Sequence, residues 1–300
     1  MSVYKYVTSD RVDILINSHI RFTQPGAFND PFESYPNFKS IITNELAEET
    51  IKNYKQDDSN IEKLIKESYE NKSLNKKGIS YDIFRKYLKE TLDNSMPFLE
   101  DFYKDLMVMQ KPSYKSKITE MLLSSINKEI GILSLTETRD NLLMWAHYAH
   151  NHTGFVIEFN DGHSFFDQRN NDYEIRGKLM KVRYSIKRPE VILYDPNLSN
   201  EELKELWIRD IFWVKSKHWD YEKEWRMILT LRDCNNVINS DPMNIHLFPI
   251  PKECINGIVI GCKASDDTKK IIISILKKDS QLSNIMLMPI RFLGIFIFRL

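Results

Sequence analysis

From about Ile41 to Lys128 the chain runs in Lys, Glu, Asn and Ser with apolar residues at helical spacing, whereas its two flanks carry short alternating apolar runs. Ile61, Leu64, Ile65 and Tyr69 fall on one helical stripe, and Phe84, Tyr87, Leu88 and Leu92 on another. Pro97 and Pro112 break the stretch into pieces. The predicted architecture is therefore a single α+β domain over residues 1–300, with one mixed sheet and a helical insertion at 41–128. The Lys-rich faces of the insertion read as solvated surface, with a protein partner or a nucleic acid as the alternative occupant.

Before the insertion the pattern reads strand, helix, strand: Val3 to Tyr6, Asp10 to Ser18 with Asp10 as cap, and Ile20 to Thr23. Gln24-Pro25-Gly26 ends the second strand and leads into Phe28-Asn29-Asp30-Pro31-Phe32-Glu33, a turn-rich loop between aromatic anchors. After Gly131 the predicted elements are a strand at Ile132–Thr136, a helix at Asn141–Asn151 and strands at Gly154–Phe159 and Leu179–Tyr184. A helix at Asn200–Phe212, strands at Glu224–Leu231 and Ile255–Ile260, a helix at Asp266–Leu276 and a buried strand at Ile290–Leu300 follow.

Charge and cysteine content narrow the function classes. Lys plus Arg and Asp plus Glu are equal at 42 each, so no global field draws the chain to nucleic acid or anionic lipid. Cys234, Cys254 and Cys262 are too scattered for a disulfide framework, and no long apolar run or leader is seen. A cytoplasmic protein with no membrane association is expected. With 9 glycines and no Walker loop, GxGxxG or GxSxG, the P-loop, Rossmann and α/β-hydrolase chemistries are set aside.

Three segments concentrate polar and aromatic side chains. His218 to Arg226 carries Glu222 and Glu224, which would share one face of a strand. Two acids that close together can push one pKa toward acid or base work. A solvated strand edge is the plain alternative, weakened by Tyr221 and Trp225 beside the acids. Leu142 to Gly154 offers Trp145 and Tyr148 as an aromatic wall and His147 as a hydrogen-bond donor, with a structural helix as the alternative. His147 and His150, three apart on a helix, could also serve a metal-dependent hydrolase or nuclease together with Glu224. In the loop, Asn29 and Asp30 near Arg21 could bind a polar ligand.

Tyr4-Lys5-Tyr6, Phe28 to Glu33, Ser134-Leu135-Thr136, Met144 to Ala149, Gly154 and Tyr221 to Arg226 together resemble the bacterial domain-of-unknown-function 2971 family. The likeness runs from residue 3 to about 261, apart from the insertion. The order of strands, aromatic-rich helix and Glu-x-Glu also resembles the ADP-ribosyltransferase superfamily. That resemblance implies a split sheet and an enzyme that takes NAD as substrate and moves ADP-ribose to a macromolecular acceptor or to water. It also suggests a toxin or phage-defence effector.

Under the superfamily resemblance Glu224 stabilises the oxocarbenium-like ribose and Glu222 positions the acceptor. Lys5 stands where the superfamily has Arg or His, and Phe22-Thr23-Gln24 loosely replaces its Ser-Thr-Ser. Tyr4, Trp145 and Tyr148 would flank the nicotinamide, and Arg21 or Arg226 would hold the pyrophosphate. A non-catalytic nucleotide- or protein-binding sensor module is the competing reading.

Overall fold

The computed structural model describes residues 1–28, 30, 33, 37–40, 58–71, 80–86, 89, 112–170, 174–192 and 198–289. The chain divides into two compact units: Met1–Asn37 with Met121–Pro189 and Lys204–Leu300, and Phe38–Glu120 with Glu190–Leu203. The strands are β1 (Ser2–Val7), β2 (His19–Phe22), β3 (Asn37–Ser40), β4 (Ile130–Thr136), β5 (Phe155–Asn160), β6 (Met180–Lys181) and β7 (Arg183–Ser185). They continue with β8 (Glu190–Ile192), β9 (Val214–Ser216), β10 (Glu224–Thr230), β11 (Asn236–Ile238), β12 (Ile245–Pro249), β13 (Ile255–Ile260) and β14 (Met286–Pro289). The strand expected at Ile290–Leu300 lies outside the described residues.

The first unit is α+β. Its main sheet runs β14-β13-β5-β1-β4-β10-β6 and is antiparallel except for the parallel β13–β14 pair, hence mixed. Alternation along the strands decides what each face buries. Val3, Leu133, Leu135, Phe155, Ile157, Phe159 and Met227 join one continuous core. Tyr6, Val156 and Val259 turn to the opposite face, where the helix Leu142–Tyr148 brings Met144 and Trp145 onto them. Asn141 starts that helix by accepting from the Leu143 and Met144 amides.

A smaller sheet, β11-β12-β2, meets the main one where Thr23 and Ile132 exchange two backbone hydrogen bonds of 2.9 and 2.8 Å. Gly131 permits this approach, since a Cβ there would stand 2.8 Å from the Phe22 Cβ and from a Leu231 methyl. Through this junction the end of β2, with Arg21 and Thr23, reaches the same cavity as β1 and β4.

Two expectations need correction. Asp10 does not cap the first helix: a 3-10 turn, Ser9–Val12, precedes a short α-helix at Asp13–Asn17, and the residue before the turn, Thr8, makes no side-chain cap bond. The strand expected at Leu179–Tyr184 is two, because Val182 N donates to Glu224 O while Arg183 N donates to Trp213 O. The chain changes partners at one residue there, and β7 pairs with β9. By contrast, the helix Asp266–Lys278 starts where Ser265 caps it, acidic at its N-terminus and basic at its C-terminus as the helix dipole favours. The helix Asn200–Phe212 opens on a capping box: Ser199 Oγ accepts from Glu202 N, and the Glu202 carboxylate accepts from Ser199 N.

The second unit holds the two-stranded sheet of β3 and β8 and the helix Asp58–Asn71. Tyr69 packs on Tyr81 and Phe84 at 5.2 and 5.7 Å between ring centroids, and the Glu62 carboxylate holds both Arg85 and Lys89. Tyr87, Leu88, Leu92 and Pro97 of the expected insertion lie outside the described residues. Pro112 opens the helix Pro112–Glu129, the position where its missing N–H costs nothing. No helix among the described residues is long and apolar enough to cross a membrane.

Candidate functional site

The first unit contains a cavity of about 270 Å³. β1 contributes Tyr4, Lys5 and Tyr6, the end of β2 contributes Arg21 and Thr23, and the following loop contributes Phe28, Asp30 and Glu33. β4 supplies Ser134, Leu135 and Thr136, the aromatic helix Met144 and Tyr148, and the later segments Lys215, Trp219, Glu222, Glu224 and Arg226. Four acids and four permanently or readily charged bases line it, so the wall is close to neutral as a whole.

Glu222 and Glu224 come together differently from the expected way. Glu222 ends a 3-10 segment, Lys217–Glu222, and is not in a strand; Lys223 then takes a left-handed conformation with φ 45°, and β10 begins at Glu224. This kink, and not the two-residue strand period, brings both carboxylates inward. The end of β4 and the residues after it pin the segment: Thr136 Oγ1 donates to Glu222 O at 2.6 Å, Asn141 Nδ2 to Tyr221 O at 3.0 Å and Glu137 N to Lys223 O at 3.1 Å.

Lys215, from β9, holds the pair. Its ammonium donates to Glu222 Oε2 at 2.5 Å and Glu224 Oε2 at 2.8 Å, with Glu33 Oε2 at 3.6 Å. The second oxygen of Glu222 accepts from the Tyr148 hydroxyl at 2.7 Å. Glu224 accepts from Arg226 Nε at 2.7 Å and Nη2 at 3.0 Å, while Arg226 Nη1 donates to Phe212 O. Arg226 also pairs with Glu33, and its guanidinium lies 5.1 Å from the centre of the Phe28 ring. Lys215 lies 5.2 Å from the Trp219 ring centre. Side chains of Lys215, Glu33, Glu222, Glu224 and Arg226 are between 1 and 6 % exposed.

Burial and pairing pull these groups in opposite directions. Burial would strip the proton from Lys215, but the charges of Glu224 and Glu222 outweigh it and raise its pKa. Burial raises the Glu224 carboxyl, and Lys215 opposes that. Burial lowers Arg226 to about 9, against the Asp30 charge, which leaves it a cation at neutral pH. The Tyr148 hydroxyl is raised by burial and by Glu222.

Lys5 differs from Lys215. Its ammonium donates to the Ser134 carbonyl at 2.8 Å, and burial lowers its pKa to about 8 although Glu224 acts the other way. Arg21 has a buried Nε with no hydrogen-bond partner among the described residues.

The candidate residues of the sequence thus separate. Glu222, Glu224, Tyr4, Lys5, Arg21, Asp30, Tyr148 and Arg226 share the cavity wall. Trp145 is 0 % exposed, edge-on to Tyr6 at 5.2 Å with its Nε1 donating to Arg139 O; it is core, and does not line the cavity. His147 is exposed and His150, past the helix end with φ 47°, is exposed as well, so neither meets the buried Glu224. Among the described residues no group of three His, Cys, Asp or Glu is placed to hold a metal ion. Asn29 lies outside the described residues. Lys215 and Glu33 are what the sequence reading missed; a lysine at the end of the apolar run Ile211–Val214 was the available signal, since a cation drawn into the interior with that run must find acids.

Residues 144–227 match the model of a family described as a protein of unknown function, DUF2971. That stretch, less than a third of the chain, is similar to the DUF2971 family. That region supplies Met144, Tyr148, Lys215, Trp219, Glu222, Glu224 and Arg226 to the cavity, and so both acids and the cations that pair with them. The other walls of the cavity, from β1, β2, β4 and the loop, come from outside the matched residues. No curated protein and no solved structure matches the chain.

Proposed function

We propose that this cavity cleaves the nicotinamide glycosidic bond of NAD and passes ADP-ribose to a macromolecular acceptor or to water, in the manner of a toxin or defence effector. The observation that carries the reading is the buried pair Glu222 and Glu224, fixed on one ammonium inside a cavity that also presents Tyr4, Tyr148 and Lys5. Departure of nicotinamide leaves positive charge on the ribose. A preorganised carboxylate attracts that charge mainly in the transition state, and the attraction is strong where water is excluded. A cavity of about 270 Å³ lies just below the range of ligand pockets, ~300–1,000 Å³, so it would take only a part of the dinucleotide. Rings of Tyr4 and Tyr148 suit the flat nicotinamide, and Arg21 suits a phosphate.

The test is nicotinamide release from NAD by the purified protein, with Glu224→Gln and Glu222→Gln beside it. Glu224→Gln should lower turnover by ~10²-fold or more while NAD affinity is kept. Labelled NAD with cell lysate distinguishes transfer from hydrolysis.

One observation favours a non-catalytic binding module: both oxygens of Glu222 and of Glu224 already accept bonds from Lys215, Tyr148 and Arg226. Acids so engaged could be purely architectural. Absence of NAD consumption, with nucleotide binding retained by the wild type and lost in Lys215→Met, would establish that alternative.

A further inference from the structure

Two lysines face one cavity and are held by opposite chemistries. Lys215 is gripped by the carboxylates of Glu222 and Glu224, which fix it as an ammonium ion. Among the described residues Lys5 is anchored by the Ser134 carbonyl, at 2.8 Å, and no carboxylate of a described residue lies within ion-pair distance of it. A neutral carbonyl favours the ammonium form only through one charge-assisted hydrogen bond, a weaker hold on the proton than the two carboxylates that grip Lys215. Burial favours loss of the proton and lowers the group to about 8; the charges of Glu224 and Glu222 act against it, and those of Arg11 and Arg21 with it. About a tenth of such a side chain is free amine at neutral pH, against far less than a hundredth of an exposed lysine. Pairs of like groups driven apart by their surroundings mark distinct chemical roles.

We propose that Lys5 is a carbonyl-reactive amine that forms an imine with the aldehyde of a phosphorylated aldose held in this cavity. Desolvated lysines in closed pockets are the ones that attack carbonyls. The phosphorylated class follows from Arg21, which lines the same cavity with a buried Nε that lacks a partner among the described residues. A planar guanidinium answers a phosphate by paired N–H donation. In the reaction the Lys5 nitrogen bonds to the aldehyde carbon, the C=O bond breaks, and its oxygen leaves as water with the two amine hydrogens. No oxidant or reductant is consumed. Hydrolysis of a nucleotide's glycosidic bond also yields an aldose whose open form carries an aldehyde, so the product of the proposed NAD cleavage belongs to this class. The amine chemistry does not depend on that reading.

The test uses the full-length protein with glyceraldehyde 3-phosphate and cyanoborohydride at pH 7.5, followed by peptide mass mapping. Reduction converts the imine to a stable secondary amine. Lys5 should be modified at least tenfold faster than any other lysine, with saturation in aldehyde. Its rate should rise with pH around 8, while exposed lysines rise only toward 10.5. Lys5→Arg, which keeps a cation, should abolish the fast label, and circular dichroism verifies that the variant is folded. Excess inorganic phosphate should slow the labelling in the wild type, and this protection should vanish in Arg21→Met. Labelling spread over surface lysines with no excess at Lys5 overturns the proposal. NAD is absent from this assay, so imine formation here with no nicotinamide release in the separate NAD assay retains this inference and discards the other. NAD cleavage with an inert Lys5 does the reverse.

Discussion

The stretch from Trp145 to His152 and the stretch from His218 to Arg226 look alike as sequence, each dense in rings and ionisable side chains, yet the fold treats them differently. In the first, successive side chains are spread around a helix, so Trp145 enters the core, His147 faces outward and Tyr148 alone reaches the cavity. In the second, a left-handed residue and the alternation of β10 send Glu222, Glu224 and Arg226 to the same side. A helix distributes chemistry and a kinked strand entry collects it. The contrast also separates two kinds of stability, apolar packing in one segment and mutual charge compensation in the other.

Removing the shared cation should show the second kind. Lys215→Met leaves three buried acids, Glu33, Glu222 and Glu224, without their common partner, and should cost about 3–5 kcal/mol in urea unfolding. A loss under 1 kcal/mol would mean that the cluster does not depend on Lys215. Trp145→Ala should cost a similar ~3–5 kcal/mol through the cavity it opens. Its remaining folded fraction should keep NAD affinity unchanged, and weakened affinity would place Trp145 in the site after all.

Lys5 gives a test by pH. The native chain releases its proton at about 8 and the unfolded chain near 10.5. Between these values the unfolded state holds more protons, so stability rises with pH there. Lys5→Met should abolish that rise and add roughly 3 kcal/mol at neutral pH. Parallel stability curves for wild type and variant from pH 7 to 10 would contradict the lowered pKa.

Smaller effects sharpen the contrast. Tyr148→Phe removes one hydrogen bond to the Glu222 carboxylate and should cost about 1.5–3 kcal/mol, with a shift in the pH profile of any cavity activity. His147→Ala, on the solvent side of the same helix, should change stability by less than ~0.5 kcal/mol and leave NAD turnover intact. A large effect there would revive the histidine-based hydrolase.

Much of the secondary structure was legible in the residues. The strand at Ser2–Val7, the helices at Asn200–Phe212 and from Asp266, and the strands at Glu224 and Ile255 follow from periodicity and caps, which are local. The split at Val182 was not legible, because a strand's pattern does not name its neighbour. Nor did the spacing of Glu222 and Glu224 disclose the turn between them, since a lysine in a left-handed conformation carries no glycine to announce it.

Sequence alone determined most of the helices and strands and which side chains were chemically capable, because propensity, capping and alternation act within a few residues. Only the tertiary structure decided that Lys215 would stand between two glutamates seven and nine positions onward, and that Lys5 would be left with a carbonyl. Those outcomes depend on the pairing of β1 with β4 and of β4 with β10 across more than a hundred residues of chain in the first case. Charge interactions are set by distance through space, which the order of residues does not encode.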